Sequence, residues 1–371
     1  MPFQIIQLPL YKIKLKNMKI GIIDADLLGR PKHRFPNLAC MKISTYHKNH
    51  GNKVRLVLDY SEVANYDKLY ISKVFTDTPI DGSLLQLPNV KYGGTGFFFD
   101  KAPNLPDYVE HLMPDYSLYN EWIIGKDIKD YTDSSIGFLT RGCFRKCAFC
   151  VNKKYDRAFI ASPLSEFLDL NRKTISLWDD NFLSHPKWRE LLAELVASGK
   201  PFQFRQGLDI RLITEEKVEL FSKVKYAGDY IFAFDHIDDR ELIESKLKIW
   251  KSKISKTTKL YVFCGFDRDN KWDLDFWKQD IIDTFLRIKI LMGFGCLPYI
   301  MRFNRYEESP YRGTYINLAR WCNQPSMFKK KSYREFVKAN GANSSTNKYF
   351  EEVDFVDEEF YDMRHDQLNR Y

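Results

Sequence analysis

Long apolar runs are missing from this chain: among its 371 residues none approaches the length of a membrane span, so no spanning helix is expected. The opening stretch, Met1 to Leu10, is apolar but lacks the basic start and small-residue cleavage site of an export signal. Cysteine is scarce and odd in number, seven in all, which argues against a disulfide framework. A reducing cytoplasm is the expected setting. No RNA-binding module or zinc-finger signature accompanies the modest formal charge of +8. Basic residues gather at Lys12, Lys14, Lys16 and Lys19 and again at Lys329, Lys330, Lys331 and Arg334, while residues 351–371 are acidic. Such runs read first as solvated surface, and nucleic-acid binding stays unsupported.

What is present is globular. Apolar residues make up 44% and aromatics 15%, and the length suits two domains with separate cores. Lys19 to Asp24 reads as a short apolar strand; Met18 looks like a natural beginning, which leaves residues 1–17 as an added edge strand or an extension. Pro36 and Asn37 open a helix that stops at Asn49-His50-Gly51, and strands follow at 53–58, 68–72 and 89–92. This succession favours an open parallel α/β sheet. Residues 107–133 read as a turn-rich linker. From Ser134 a second series starts, with strands expected at 135–140, 174–178, 202–206, 230–234, 259–264 and 297–303. Helical stretches at 188–198, 215–223, 240–253 and 276–291 separate them. Six strand–helix units close most naturally as a partial (β/α)6 barrel, with a doubly wound sheet as the alternative. The expected division is 1–125, 126–330 and a C-terminal appendage 331–371, in which 341–347 is a loop.

The densest chemistry lies in Gly142-Cys143-Phe144-Arg145-Lys146-Cys147-Ala148-Phe149-Cys150, a C-x3-C-x2-C run directly after an apolar strand. Three thiolates on one loop can hold three irons of a [4Fe–4S] cube and leave the fourth open to a small molecule. A structural zinc would need a fourth ligand, yet no Cys or His lies between Cys150 and His185. The pattern, with an aromatic just before its third cysteine, resembles the signature of the radical S-adenosylmethionine (SAM) superfamily. The resemblance implies a cluster on Cys143, Cys147 and Cys150, SAM chelated by the open iron, and reductive cleavage to a 5′-deoxyadenosyl radical for hydrogen abstraction or methyl transfer. It also implies a TIM-type barrel core and an electron donor such as a flavodoxin or ferredoxin; the substrate stays unknown.

The first third is similar to the Rossmann-like, cobalamin-binding type of domain that precedes many radical SAM cores. The D-x-H-x-x-G pattern that supplies a histidine to cobalt is absent, and His33, His47, His50 and His111 are not in that context. Gly93-Gly94-Thr95-Gly96 could cradle a cofactor tail or phosphate, but a tight turn needs the same glycines. Cobalamin therefore stays an open cofactor.

Each strand of the second series ends in polar residues, at the face where parallel barrels bind ligands. Asp179-Asp180 stand where the superfamily has Gly-Gly-Glu and resemble its Asp-Asp-x-Phe variant, which would accept hydrogen bonds from the SAM amino group. Arg211 suits the SAM carboxylate, Gln206 and Asp209 its ribose and sulfonium surroundings. Phe149 and the stretch 262–265 suit the adenine, and Asp267 ends the fifth strand. Against these stand simpler roles: Asn181 capping a helix, Arg211 pairing with Glu215, Asp235-His236 as a surface turn. Cys40, Cys264, Cys296 and Cys322 read as buried thiols, with Cys264 close to the expected mouth. Two rival readings use other chemistry: an iron–sulfur scaffold or sensor without SAM, and a nucleic-acid-binding protein with a structural zinc.

Overall fold

The computed structural model describes residues 17–30, 35–340 and 350–368. The extension expected in residues 1–17, except its last residue, lies outside these, as do His33 and the loop expected at 341–347. The chain divides into two compact units, 1–134 with 165–172, and 135–164 with 173–371.

The first unit is built on a four-stranded sheet in the order β2-β1-β3-β4. Its strands are β1 (Lys19–Asp24), β2 (Lys53–Leu56), β3 (Lys68–Ser72) and β4 (Val90–Gly93). Every pairing is parallel. Ile20, Ile22 and Ile23 of the central β1 are fully buried, as expected for a strand covered on both faces. The helix Leu38–Asn49 begins where Asn37 Oδ1 accepts the Cys40 backbone N–H at 3.2 Å, and its buried face carries Leu38, Cys40 and Met41. The segment 107–133 departs from the linker expected there. Its one-turn helices are too short to show a periodicity, yet Leu118, Tyr119 and Tyr131 are buried in the core of this unit. The Tyr119 hydroxyl accepts from Asn37 N at 2.9 Å and donates to Asp24 Oδ2 at 2.8 Å, which ties the segment to the end of β1.

The second unit carries the second series. Its strands β5 (Ser134–Gly137), β8 (Thr174–Leu177) and β9 (Phe202–Phe204) form one sheet, and β10 (Tyr230–Ala233), β11 (Thr258–Cys264) and β12 (Leu297–Arg302) another. A short hairpin of β6 (Thr140–Arg141) and β7 (Phe159–Ile160) brackets the cysteine loop. The two sheets adjoin at β9 and β10: Phe202 N of β9 donates to Lys225 O, ahead of β10, at 3.1 Å, and Leu208 N, just past β9, donates to Ile231 O of β10 at 2.8 Å. Spatial order follows chain order, and helices separate the strands from β8 onward. This is the partial (β/α)6 barrel. The helix Leu274–Gly293 shows why these boundaries fall where they do. Asp273 caps it through Phe276 N at 2.9 Å, Trp277, Ile281, Phe285 and Ile288 line one buried stripe, and Gly295 leaves in a left-handed conformation at φ 61°. Beyond residue 330, Tyr333 and Tyr361 pack on this helix, both meeting the ring of Phe285.

Candidate cluster and ligand site

The cysteine loop leaves β6, just past the end of β5, and is gripped at its base by two neighbouring carboxylates from the end of β8. Asp179 is almost fully buried. Its Oδ1 accepts from Thr140 N at 2.6 Å and Thr140 Oγ1 at 2.7 Å, and its Oδ2 from Leu139 N at 3.3 Å. Burial dominates those donors and pushes its carboxyl up to about 7. Asp180 Oδ2 accepts from Gly142 N at 2.7 Å, immediately before Cys143, and Oδ1 from Asn152 Nδ2 at 2.9 Å, two residues after Cys150. Both carboxylates thus hold protein N–H groups. Burial raises the Asp180 carboxyl as well, against the Gly142 bond.

Cys143, Cys147 and Cys150 are free and half-exposed, whereas Cys40, Cys264, Cys296 and Cys322 are buried. Three N–H groups reach the loop's sulfurs: Asn181 Nδ2 to Cys143 Sγ at 3.3 Å, Arg145 N to the same sulfur at 3.4 Å, and Asn152 N to Cys150 Sγ at 3.3 Å. Burial raises the Cys147 and Cys150 thiols; the Arg211 charge opposes this at Cys147, and the Asn152 N–H at Cys150. Hydrogen bonds to sulfur and nearby guanidinium groups stabilise thiolates, so this donor set fits an iron–sulfur cluster. Among the described residues no three His, Cys, Asp or Glu side chains converge on a single ion. A cube makes a different demand, since each thiolate takes its own iron.

Beside the loop lies a charged network. Asp209 accepts from Arg145, from Arg211 Nε at 2.9 Å and from Asn181 Nδ2 at 3.4 Å. Burial alone would raise its carboxyl, but the two guanidinium groups outweigh burial and hold it below the usual range. Arg211 also reaches Asp239 at 3.2 Å, so its partners are Asp209 and Asp239 rather than Glu215. Gln206 is exposed in the turn after β9. Phe149 packs on Phe263 at 4.5 Å, Phe266 at 5.8 Å and His236 at 5.9 Å, which brings the cysteine loop to the ends of β10 and β11. Within 262–265, Val262 and Cys264 point into the core and Phe263 meets Phe149. The Cys264 thiol, pushed well up by burial, donates to Met301 O at 3.6 Å. Asp235 is raised to about 6 and His236 lowered to about 4, in both cases chiefly by burial. Asp267 accepts three backbone N–H groups, from Asp269, Lys271 and Trp272 at 2.7–2.9 Å, and so shapes its own loop.

Sequence reasoning missed several residues here. Asn181 was assigned a capping role, but its side chain makes no cap bond and turns to Cys143 instead. Arg287, only 2% exposed, donates to the carbonyls of Phe234, Asp235 and Phe263 at 3.2, 2.7 and 2.8 Å, fixing the ends of β10 and β11 from the helix beneath. Its one sequence signal is a charge inside the apolar stripe of that helix. Asp280 of the same helix accepts from Gly265 N and Tyr315 OH, each at 2.7 Å.

In the first unit the glycine run is explained by packing. Gly94 sits at φ 108°, and a Cβ there would lie 2.2 Å from Lys73 O; one on Gly96 would lie 2.8 Å from Phe75 O. His47 spends both ring nitrogens, on Tyr70 OH at 2.9 Å and Asn52 at 3.1 Å, and His50 Nδ1 meets Tyr46 O at 2.7 Å. His111 Nδ1 meets Glu166 at 2.9 Å. No helix of the described residues is long and apolar enough to cross a membrane.

No protein-family model matches the chain. Among solved structures it is similar to TsrM from Kitasatospora setae, a radical S-adenosylmethionine methyltransferase determined with cobalamin and a [4Fe–4S] cluster bound. Identity is 11%, with 76% of this chain and 72% of TsrM covered at a TM-score of 0.51. Two structures of the cobalamin-dependent SAM radical enzyme OxsB, with aqua-cobalamin and without, match at 12% identity and TM-scores of 0.35 and 0.37. They cover 94% and 96% of this chain, which spans only 56% and 58% of theirs. At such identities the likeness is one of fold. The chain shares the fold of TsrM, a Rossmann-like parallel sheet followed by a partial (β/α)6 barrel.

Proposed function

We propose that this chain is a radical SAM enzyme that holds one [4Fe–4S] cluster through Cys143, Cys147 and Cys150. The observation that carries the reading is the cysteine loop: three half-exposed thiols at the strand ends, three N–H groups on their sulfurs, and one carboxylate bracing both flanks. Cluster and SAM together would supply one-electron cleavage to a 5′-deoxyadenosyl radical, for hydrogen abstraction or methyl transfer on a substrate still to be identified. The chain's own residues would do the rest. Asp179 and Asp180 hold the loop in shape, Phe149, Phe263 and Phe266 offer an apolar wall for a purine, and Gln206 is free to meet a polar ligand group. Arg211 and Asp209 are already paired, so either would contact SAM only through its remaining donors or lone pairs.

The proposal extends to a low-potential electron donor of flavodoxin or ferredoxin type and to a cytoplasmic setting. A corrinoid in the first unit would bind without a protein histidine on cobalt, a reading supported by the absence of D-x-H-x-x-G and by His47, whose two ring nitrogens are both engaged. Two experiments decide the enzymatic and the corrinoid readings. Anaerobic, reconstituted and reduced protein should release 5′-deoxyadenosine from SAM; iron with no such product would leave a scaffold or sensor, and zinc without iron would remove the cluster. Titration with hydroxocobalamin should show saturable binding that survives His50→Ala; no binding at all would reject the corrinoid.

A further inference from the structure

The loop that carries the three thiols also carries an uneven share of the chain's charge. Between Arg141 and Ile160 stand six cations, Arg141, Arg145, Lys146, Lys153, Lys154 and Arg157, against one carboxylate, Asp156. That is a net +5 in 20 residues of a chain whose whole formal charge is +8. Among these charges the fold leaves two apolar side chains in the open, Phe144 at 46% and Val151 at 51% exposure, each next in sequence to a thiol residue. Phe149 of the same loop turns instead to Phe263 and Phe266. Several of the cations are held in place: Lys153 Nζ donates to Ala148 O at 2.7 Å, Lys146 pairs with Asp156, and Arg145 pairs with Asp209. An apolar centre with a charged rim is the anatomy of a protein contact. A nucleic acid would ask for open ring faces on which bases stack. Here Arg145 lies over the Phe144 ring at 4.8 Å and Lys154 over the Tyr155 ring at 5.5 Å.

Resting on the radical SAM reading, we propose that the exposed surface of the cysteine loop is the docking site of the electron donor, a small carrier protein with an acidic face around its redox centre. Opposite charge speeds the encounter and orients the carrier. Phe144 and Val151 then exclude water at the centre of the contact. Because they adjoin Cys143 and Cys150, a carrier seated on them is brought against the cluster. One electron leaves the carrier, taking a flavin from hydroquinone to semiquinone or a [2Fe–2S] centre from 1+ to 2+, and the cube goes from 2+ to 1+. The other folded basic run does not share this position. Phe328, next to Lys329, packs on His365, which meets the Cys296 backbone at the start of β12, whereas the cysteine loop lies at the strand ends.

The test is stopped-flow reduction of anaerobically reconstituted protein by flavodoxin hydroquinone and, in parallel, by a reduced [2Fe–2S] ferredoxin, at several salt concentrations. The wild-type second-order rate should fall as salt rises. Lys154→Glu with Arg157→Glu should load full iron and be fully reduced by dithionite, yet accept electrons from the carriers about 10- to 100-fold more slowly at low salt. Lys329→Glu with Lys330→Glu makes the same change in net charge and should keep the wild-type rate. Asp156→Asn removes the loop's one acid and should raise the rate; it decides the matter if the double reversal loads no iron. Equal slowing by both double reversals, or wild-type rates in the loop variants, would overturn the docking site alone. Wild-type rates together with lost binding of a single-stranded RNA oligonucleotide would give the surface to nucleic acid instead. A wild type whose cluster the carriers reduce through this surface, but which releases no 5′-deoxyadenosine from SAM, would defeat the enzymatic reading and support the docking site; one that loads no cluster would defeat both.

Discussion

Asn152 donates its side-chain N–H to Asp180 Oδ1 at 2.9 Å, and through that bond the far flank of the cysteine loop is closed onto the carboxylate that holds its near flank at Gly142. A nine-residue stretch carrying three thiols, Gly142 to Cys150, is thereby stapled across its mouth by one side chain. On the proposed reading, the entropy of arranging the three thiols for a cluster would be largely met in advance.

Asp180→Ala should therefore loosen the cluster without unfolding the barrel. The variant leaves the Gly142 N–H and the Asn152 amide unpaired, at a cost of about 1–3 kcal/mol. Iron release to a chelator from reconstituted protein should accelerate roughly tenfold or more, while far-ultraviolet circular dichroism stays unchanged. Release at the wild-type rate would show that the loop holds its shape without the carboxylate.

The seven cysteines should fall into two classes. Alanine at Cys143, Cys147 or Cys150 should abolish cluster assembly, read as lost iron, sulfide and visible absorption. Serine at Cys40, Cys264, Cys296 or Cys322 should spare the cluster but bury a hydroxyl in place of a thiol, lowering the unfolding free energy by about 1–3 kcal/mol. A normal cluster in Cys147→Ala would end the assignment.

Burial pushes the Asp24 carboxyl up to about 7, against the hydrogen bond from Tyr119. In the unfolded chain the same group titrates near 3.9. Between roughly pH 4 and 7 the folded state holds a proton that the unfolded state has lost, so stability is greatest at the acid end and falls as pH rises, by at most about 1.4 kcal/mol per pH unit. Asp24→Asn should remove one group's share of this slope in urea titrations of the full chain, with Asp179 and Asp235 still contributing theirs. An unchanged slope would show that Asp24 is not the group responsible.

Gly94→Ala should destabilise the first unit by more than about 1–2 kcal/mol, since it combines a left-handed backbone with a Cβ driven into the Lys73 carbonyl. Gly93→Ala, with no atom within 4 Å of the added carbon, should be nearly neutral. Paired thermal melts check this. Equal midpoints would mean that the glycine run is kept for something other than packing.

Much of the architecture was legible in the chain. The strands at 19–24 and 68–72 match the expected bounds, and the long helix was placed within two residues at either end, because apolar periodicity and capping residues act locally. The spacing of Cys143, Cys147 and Cys150 likewise singled out the loop, since three ligands so close in sequence cannot be far apart in space. What lay beyond reach was the direction of each polar side chain. Asp179 and Asp180 look equally suited to a ligand when read as residue types, yet Leu139, Thr140, Gly142 and Asn152 claim their oxygens. Asn181 looks like a cap until its amide is seen against Cys143 and Asp209. Sequence by itself determined the main strands and the longer helices and which loop carries the thiols, because those depend on near neighbours along the chain. Only the tertiary structure decided which acceptors are spent, because that depends on donors brought in from 28 to 40 residues away.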